Sequence, residues 1–167
     1  TGRVAKMTIN PAPADTGIRF RRTDLGEDAY IDALAENVSS TARSTTISCG
    51  DASVSTIEHV MSALTGMGVD NAVIDIDNIE VPILDGSAKP YVDAIWPDGF
   101  QQQDAPRRYV ELTETVEIRN DEKGSVVRIE PAEEFSYEIK VDFNSRVLGV
   151  QNAQWDSSVV YPEEIGT

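Results

Sequence analysis

The stretch STIEHVMSALTGMGVDNAVIDIDNIEVPILDGSAKPYV, residues 55–92, decides how the rest of the chain is read. Ile57, Val60, Met61 and Leu64 recur at i, i+3, i+4 and i+7, which makes one apolar helical stripe. Ser55 followed by Glu58 has capping-box spacing, and Gly66 and Gly68 supply a stop, so the pattern predicts a helix over 55–66. NAVIDI (71–76) reads as a strand, with Asp77 and Asn78 in the loop after it. In VPILDGS (81–87), Pro82 and the Asp85-Gly86 pair mark a tight turn whose aspartate is suited to hold backbone amides. A second helix is expected after Pro90, through Tyr91, Val92, Ala94 and Ile95, until Pro97 and Gly99 break it.

Working outward, RVAKMTI (3–9) alternates apolar and polar residues and reads as a half-buried strand, ended by Pro11 and Pro13. GIRFRR (17–22) alternates again, with Ile18 and Phe20 on one face. Residues 36–48, rich in Ser, Thr and Val, read as extended, and Cys49 as an ordinary strand end before the turn at Gly50 and Asp51. FQQQDAP (100–106) is polar and is the candidate linker. Beyond it, YVELTETVEIR (109–119), the turn NDEKG (120–124) and SVVRIEP (125–131) read as a hairpin, and FSYEIKVDF (135–143) as a further strand. Residues 144–167 show no strong period. Separate strands with few helices predict an α+β fold.

Composition narrows the function classes. The 167 residues are 40% hydrophobic and 26% charged, enough for a packed core. Fourteen Lys and Arg stand against 29 Asp and Glu, a formal net charge of −15. Such a balance repels a phosphate backbone, so no nucleic-acid partner is expected, and it suits anionic lipid headgroups poorly. Cys49 is the single cysteine, which excludes an intramolecular disulfide and favours a reducing compartment. No stretch reaches the ~18 apolar residues of a transmembrane segment, and no signal peptide is visible. The opening Thr1-Gly2-Arg3, without Met, is expected to be a cut or processed end.

Few residues have the chemistry for catalysis. His59 is the only histidine, and it follows Glu58. At about 100° per residue, His59 lies nearly opposite the apolar stripe and Glu58 to its side. The imidazole therefore faces solvent or another layer of protein. Capping alone accounts for a carboxylate at Glu58, and one histidine cannot supply the roughly three protein ligands of a catalytic zinc. No GxSxG elbow, Walker loop or Rossmann glycine pattern occurs. Asp75, Asp77 and Glu80 read as a solvated edge and loop without calcium-loop spacing.

Residues 55–92 closely resemble the first domain of the zinc-dependent UDP-3-O-acyl-N-acetylglucosamine deacetylases of lipid A biosynthesis. The resemblance lies in the Ser-Thr-x-Glu-His helix start (Ser55 to His59), the Gly-x-Gly-x-Asp-Asn turn (Gly66 to Asn71) and the Pro-Ile-x-Asp-Gly-Ser turn (Pro82 to Ser87). NPAPADTGIRFRRTDLG (10–26) and VDFN (141–144) also resemble the family, so the likeness runs along essentially the whole chain. It implies a ribosomal-protein-S5-domain-2-like fold, a two-layer arrangement of β-sheet plus helices. Residues 1–105 would form a first domain lacking its opening strand, and residues 106–167 the truncated beginning of a second, similar one.

The same resemblance implies the chemistry. Glu58 would be the general base and His59 one ligand of a Zn2+ ion. Lys123 would lie near the substrate diphosphate, and Phe143 near its sugar or nucleotide. A core aromatic and a turn-exposed lysine are the plain alternatives for those two. The remaining ligands, a histidine and an aspartate four residues apart, a second catalytic histidine and an oxyanion threonine are expected beyond residue 167. The fragment is accordingly expected to be inactive alone, in a cytoplasmic enzyme of Gram-negative bacteria acting on UDP-3-O-acyl-N-acetylglucosamine. Truncated strands would leave sheet edges open to self-association. The alternative is a non-catalytic binding or regulatory module with the same fold.

Overall fold

The computed structural model describes residues 4–156, 158, 159 and 161. They divide into two units: residues 4–105 with Tyr161, and the described residues from 106 to 159. In the first unit come β1 (Met7–Pro11), β2 (Ile18–Arg22), β3 (Tyr30–Asp32), β4 (Val38–Ser40), β5 (Thr46–Cys49) and β6 (Ala52–Ser55). Helix α1 (Glu58–Gly66), β7 (Ala72–Ile76) and helix α2 (Lys89–Ile95) follow. One sheet runs β1-β7-β2-β3, with β7 antiparallel to β1 and parallel to β2. A second, antiparallel sheet runs β4-β5-β6.

Alternation along the strands builds the core. Phe20 of β2 pairs in register with Ile74 of β7, and both are fully buried. Ile76, also of β7, joins them with Ile31, Ile47 and Val54 of β3, β5 and β6. Val60, Ala63 and Leu64 of α1 and Tyr91 and Val92 of α2 close the same cluster. Of the stripe predicted for the first helix, Ile57, Val60 and Leu64 are buried and Met61 is half-buried against the same cluster. Tyr161 also enters this core, and its hydroxyl shares a hydrogen bond with that of Ser62. The result is the mixed α+β class expected from the sequence, with two α-helices among the described residues.

Several boundaries differ from expectation. Helix α1 begins at Glu58 rather than Ser55. Ser55 stays in β6 because its backbone is already paired: its N–H donates to Ile79 O at 2.8 Å and its carbonyl accepts from Val81 N at 3.0 Å. The extended stretch 36–48 is broken by a 3-10 turn at Ala35–Asn37 and by a loop between β4 and β5. In the polar segment read as a linker, Gln103 is fastened to the first unit. It accepts from Asn71 Nδ2 at 2.7 Å and donates to Ala12 O at 2.8 Å.

The second unit is built of hairpins. β8 (Val116–Asn120) and β9 (Ser125–Ile129) pair antiparallel around the expected turn, although the strand starts at Val116 and not at residue 109. β10 (Tyr137–Asp142) pairs with β11 (Val150–Trp155), which had no sequence signal. Its residues VQNAQW alternate too weakly to be recognised. The ladder with β10 holds them, together with stacking of Tyr137 on Trp155 at 5.9 Å between ring centroids.

A buried arginine joins the two sheets of the first unit. Arg22, only 7% exposed, donates from Nη1 to Ser53 O of β6 at 2.6 Å. Its Nε and Nη2 donate to the two oxygens of Asp24 at 2.8 and 2.7 Å. This fork holds the Asp24 carboxyl below its ordinary range. A carboxyl lowered in the fold contributes stability above its unfolded pKa and loses it as pH falls through the folded value. Arg22→Met is therefore expected to lower unfolding free energy by about 2–4 kcal/mol in urea titrations near neutral pH, against ~0–1 for an exposed pair. Asp24→Asn should flatten the acid side of the stability profile. A loss under about 1 kcal/mol for Arg22→Met would contradict the clamp.

Candidate active site

Between β6 and α1 the chain must pass from strand to helix almost at once. Thr56 makes the turn with φ +61°, a left-handed conformation disfavoured for a β-branched residue. It is buried, and its Oγ1 donates to Glu80 Oε1 at 3.4 Å. A parallel bridge between Ser55 and Glu80 fixes the strand side of the turn. Ile57, in the right-handed region, is the N-cap and has no side-chain cap bond.

The capping box read from Ser55 and Glu58 is therefore not formed. The Ser55 hydroxyl donates instead to Ile79 O at 3.3 Å. Glu58 Oε2 accepts the backbone N–H of Thr45 at 2.9 Å, across from the helix. Thr45 O in turn accepts the N–H of Ile57 at 3.4 Å. The residue just before β5 is thus fastened to both sides of the helix start. Nothing in the polar run around Thr45 signals this anchor, because the contact is made by backbone atoms.

Glu58 and His59 are half-buried neighbours on the first turn of α1. His59 makes no hydrogen bond or ion pair among the described residues. The buried face of α1 is Val60, Ala63 and Leu64, which shifts the apolar stripe toward Ala63. Glu58 therefore lies opposite the buried face and His59 to its side, the reverse of the expected order. With Oε2 committed to Thr45, Oε1 of Glu58 remains to meet a water molecule. A neutral imidazole with uncommitted nitrogens is a metal ligand by chemistry. Yet no three His, Cys, Asp or Glu side chains converge on a metal position among the described residues. These residues offer a zinc ion one nitrogen and do not complete the three protein ligands of a catalytic site.

The other acids have structural partners. Asp75 takes a forked pair from Arg21 at 2.6 Å and 2.6 Å, and Asp77 accepts the N–H of Lys6 at 2.7 Å. Asp85 accepts both the N–H and the hydroxyl of Ser87 at 2.9 Å, as the turn pattern suggested, and these bonds lower its carboxyl pKa. Lys123 is exposed in the turn between β8 and β9, where its N–H donates to Asn120 Oδ1 at 3.0 Å. Phe143, 46% exposed, follows β10, and its N–H donates to Gly149 O at 3.1 Å. Lys123 and Phe143 belong to the second unit, Glu58 and His59 to the first.

Comparison with known proteins gives one consistent result. The family described as UDP-3-O-acyl N-acetylglycosamine deacetylase matches residues 1–167. A UDP-3-O-acyl-N-acetylglucosamine deacetylase of Thioalkalivibrio sulfidiphilus is 41% identical over 95% of the chain and 52% of its own length. One of Teredinibacter turnerae is 43% identical over 89% of the chain and 48% of its own length. A bifunctional enzyme of Porphyromonas gingivalis, LpxC/FabZ, is 41% identical over 99% of the chain and 36% of its own length. The chain spans about half the length of the curated deacetylases that it matches.

The Thr45 anchor makes Glu58 a stabilising residue. Glu58→Ala leaves that N–H unpaired and is expected to cost about 1–2 kcal/mol in chemical unfolding. Glu58→Gln keeps an acceptor oxygen and should lose less than half as much. Equal losses in the two variants would contradict the anchor.

Proposed function

This chain belongs to the UDP-3-O-acyl N-acetylglycosamine deacetylase family, and from that premise we propose that it carries part of the active site of a hydrolase acting on UDP-3-O-acyl-N-acetylglucosamine. The reaction removes acetate and leaves a free amine, committing the sugar to lipid A biosynthesis. The observation that supports this reading best is the first turn of α1, which pairs an anchored carboxylate with an uncommitted imidazole.

In the proposed mechanism Glu58 acts as general base. Thr45 N–H holds one carboxylate oxygen still, so the other is oriented toward the attacking water. As water adds to the acetamide carbonyl, Glu58 would take its proton; passing that proton to the nitrogen as the C–N bond breaks would release acetate and the free amine. His59 would donate one nitrogen to a zinc ion, and the further ligands would come from outside these 167 residues. When bound, such an ion is a Lewis acid that lowers the pKa of water from about 15.7 toward 7. Lys123 would meet the substrate diphosphate, and Phe143 its sugar or nucleotide.

The two units fit the proposal of two similar domains, the first over residues 1–105 and the second from residue 106. A cytoplasmic location belongs to the same reading; no helix among the described residues is long and apolar enough to cross a membrane. A non-catalytic binding module is the second reading. It is favoured by the lack of a three-ligand cluster among the described residues.

The experiment that separates the two readings compares this chain with one extended to the length of the relatives. The 167-residue chain is expected to bind zinc weakly and to release no acetate. In the extended enzyme, Glu58→Gln should slow acetate release by on the order of 10²–10⁴-fold while retaining the metal. His59→Ala should lower the metal content itself. Undiminished release by Glu58→Gln would overturn the proposed role of Glu58.

Self-association through strand edges completes the proposal. The β8–β9 hairpin has an unpaired outer edge on each strand among the described residues and exposes Ile118 and Val127. Sedimentation of the purified chain should show mass rising with concentration. A strictly monomeric profile would contradict this.

A further inference from the structure

Gly66 is the last residue of α1, and its backbone gives no reason for a glycine. Gly68, two residues on, has φ +75°, a conformation that favours glycine. Gly66 is outside that region, and the helical ladder continues past it, from Met67 N–H to Ala63 O at 3.0 Å. Glycine inside a helix is less stable than alanine, so its presence calls for another cause. A Cβ built on Gly66 would overlap Cγ, Cδ1 and Cδ2 of the Tyr161 ring, far inside van der Waals contact. The missing side chain leaves a notch, and the buried ring of Tyr161 fills it. Tyr161 belongs with the first unit although the second unit precedes it in sequence.

The place of this seat bears on the proposed site. Glu58, Ser62, Gly66 and His59 fall, in that angular order, within one arc of about 100° on α1, outside the buried stripe of Val60, Ala63 and Leu64. Tyr161 covers the C-terminal part of that arc. Its ring lies on Gly66, and its hydroxyl shares a hydrogen bond with that of Ser62. Ser62 and Gly66 stand about 4.5 and 10.5 Å along the helix axis from His59. Glu58 and His59, at the other end, are half-buried. The helix is thus gripped on two sides, by the core at its stripe and by one aromatic ring on the face that carries the pair.

We propose that Tyr161 is a positioning residue for Glu58 and His59: seated in the Gly66 notch, it stops α1 from rolling and fixes the face on which the pair stands. The inference rests on the reading that the pair works at an acetamide. Tyr161 touches no reacting group in that scheme and acts through the helix. A shift of about 1 Å in a reacting group lowers a rate by up to about 10²-fold, so a second grip on α1 has consequences for turnover.

The seat is tested by unfolding the 167-residue chain in urea. Gly66→Ala should lower the midpoint in the parent, because the new methyl group displaces the ring. In a Tyr161→Ala background the same change should leave the midpoint in place or raise it, since alanine is the better helix former. Where Tyr161→Ala does not fold, Tyr161→Leu takes its place, and Gly66→Ala should then cost less than in the parent. Equal losses in the two backgrounds would overturn the seat. Positioning is read in the enzyme extended to the length of the relatives. Tyr161→Leu should lower kcat for acetate release about tenfold with KM unchanged, and Tyr161→Phe, which keeps the ring, should recover most of it. An unchanged kcat, or a loss confined to KM, would overturn the positioning role. Failure of the deacetylase reading is seen separately. An extended parent enzyme that releases no acetate, while the reversal at Gly66 persists, would sink the proposed function and the positioning role with it, and keep the seat.

Discussion

At Thr56 two demands meet that ordinary backbone cannot satisfy together. Ser55 is held in a ladder between Ile79 and Val81, and three residues later Glu58 begins a helix whose stripe belongs in the core. Only a left-handed residue joins the two so abruptly. The strain of such a residue is about 1–3 kcal/mol. Val54 and Val60, one on each side of the turn, are fully buried, and each contributes about 1.5–3 kcal/mol by leaving water. Burial on both flanks therefore outweighs the strain and keeps Thr56 where it is. The direction in which Glu58 and His59 emerge follows from that balance.

The electrostatics of the first unit follow a similar logic. Its acidic excess is used to fix cations: Asp24, Asp32 and Asp75 each hold an arginine of β2. Arg22 also reaches across to Ser53, so one side chain couples the sheet of β2 to that of β6, the strand that leads into the site. Glu58 is held by a backbone amide instead. That contact holds the carboxylate without a paired cation among the described residues.

The core was legible in the sequence because it rests on periodicity. The i, i+3, i+4, i+7 stripe of α1 and the alternation of β2 and β7 reappear as buried faces. The start of α1 was misread because Ser55 and Glu58 match a capping box, while pairing of Ser55 with a distant segment competes for the same residue. β11 was missed for a related reason: VQNAQW is a strand by virtue of its partner, not of its own pattern. At the proposed site, Glu58 and His59 stood out by residue type, and the roles proposed for them come from the family resemblance. Thr45 did not, since an anchor made by a main-chain N–H leaves no mark in residue type. The left-handed turn at Thr56 was hidden as well, because a threonine does not announce it as a glycine would.

The account stands on a carboxylate and an imidazole displayed together at the start of α1. The most direct measurement is anomalous diffraction at the zinc edge from crystals of the chain extended to the length of its relatives. The account predicts a metal peak about 2.0–2.1 Å from a ring nitrogen of His59, with Glu58 still bonded to the Thr45 amide. A metal held without His59, or a Glu58 carboxylate turned away from both Thr45 and the metal, would contradict it.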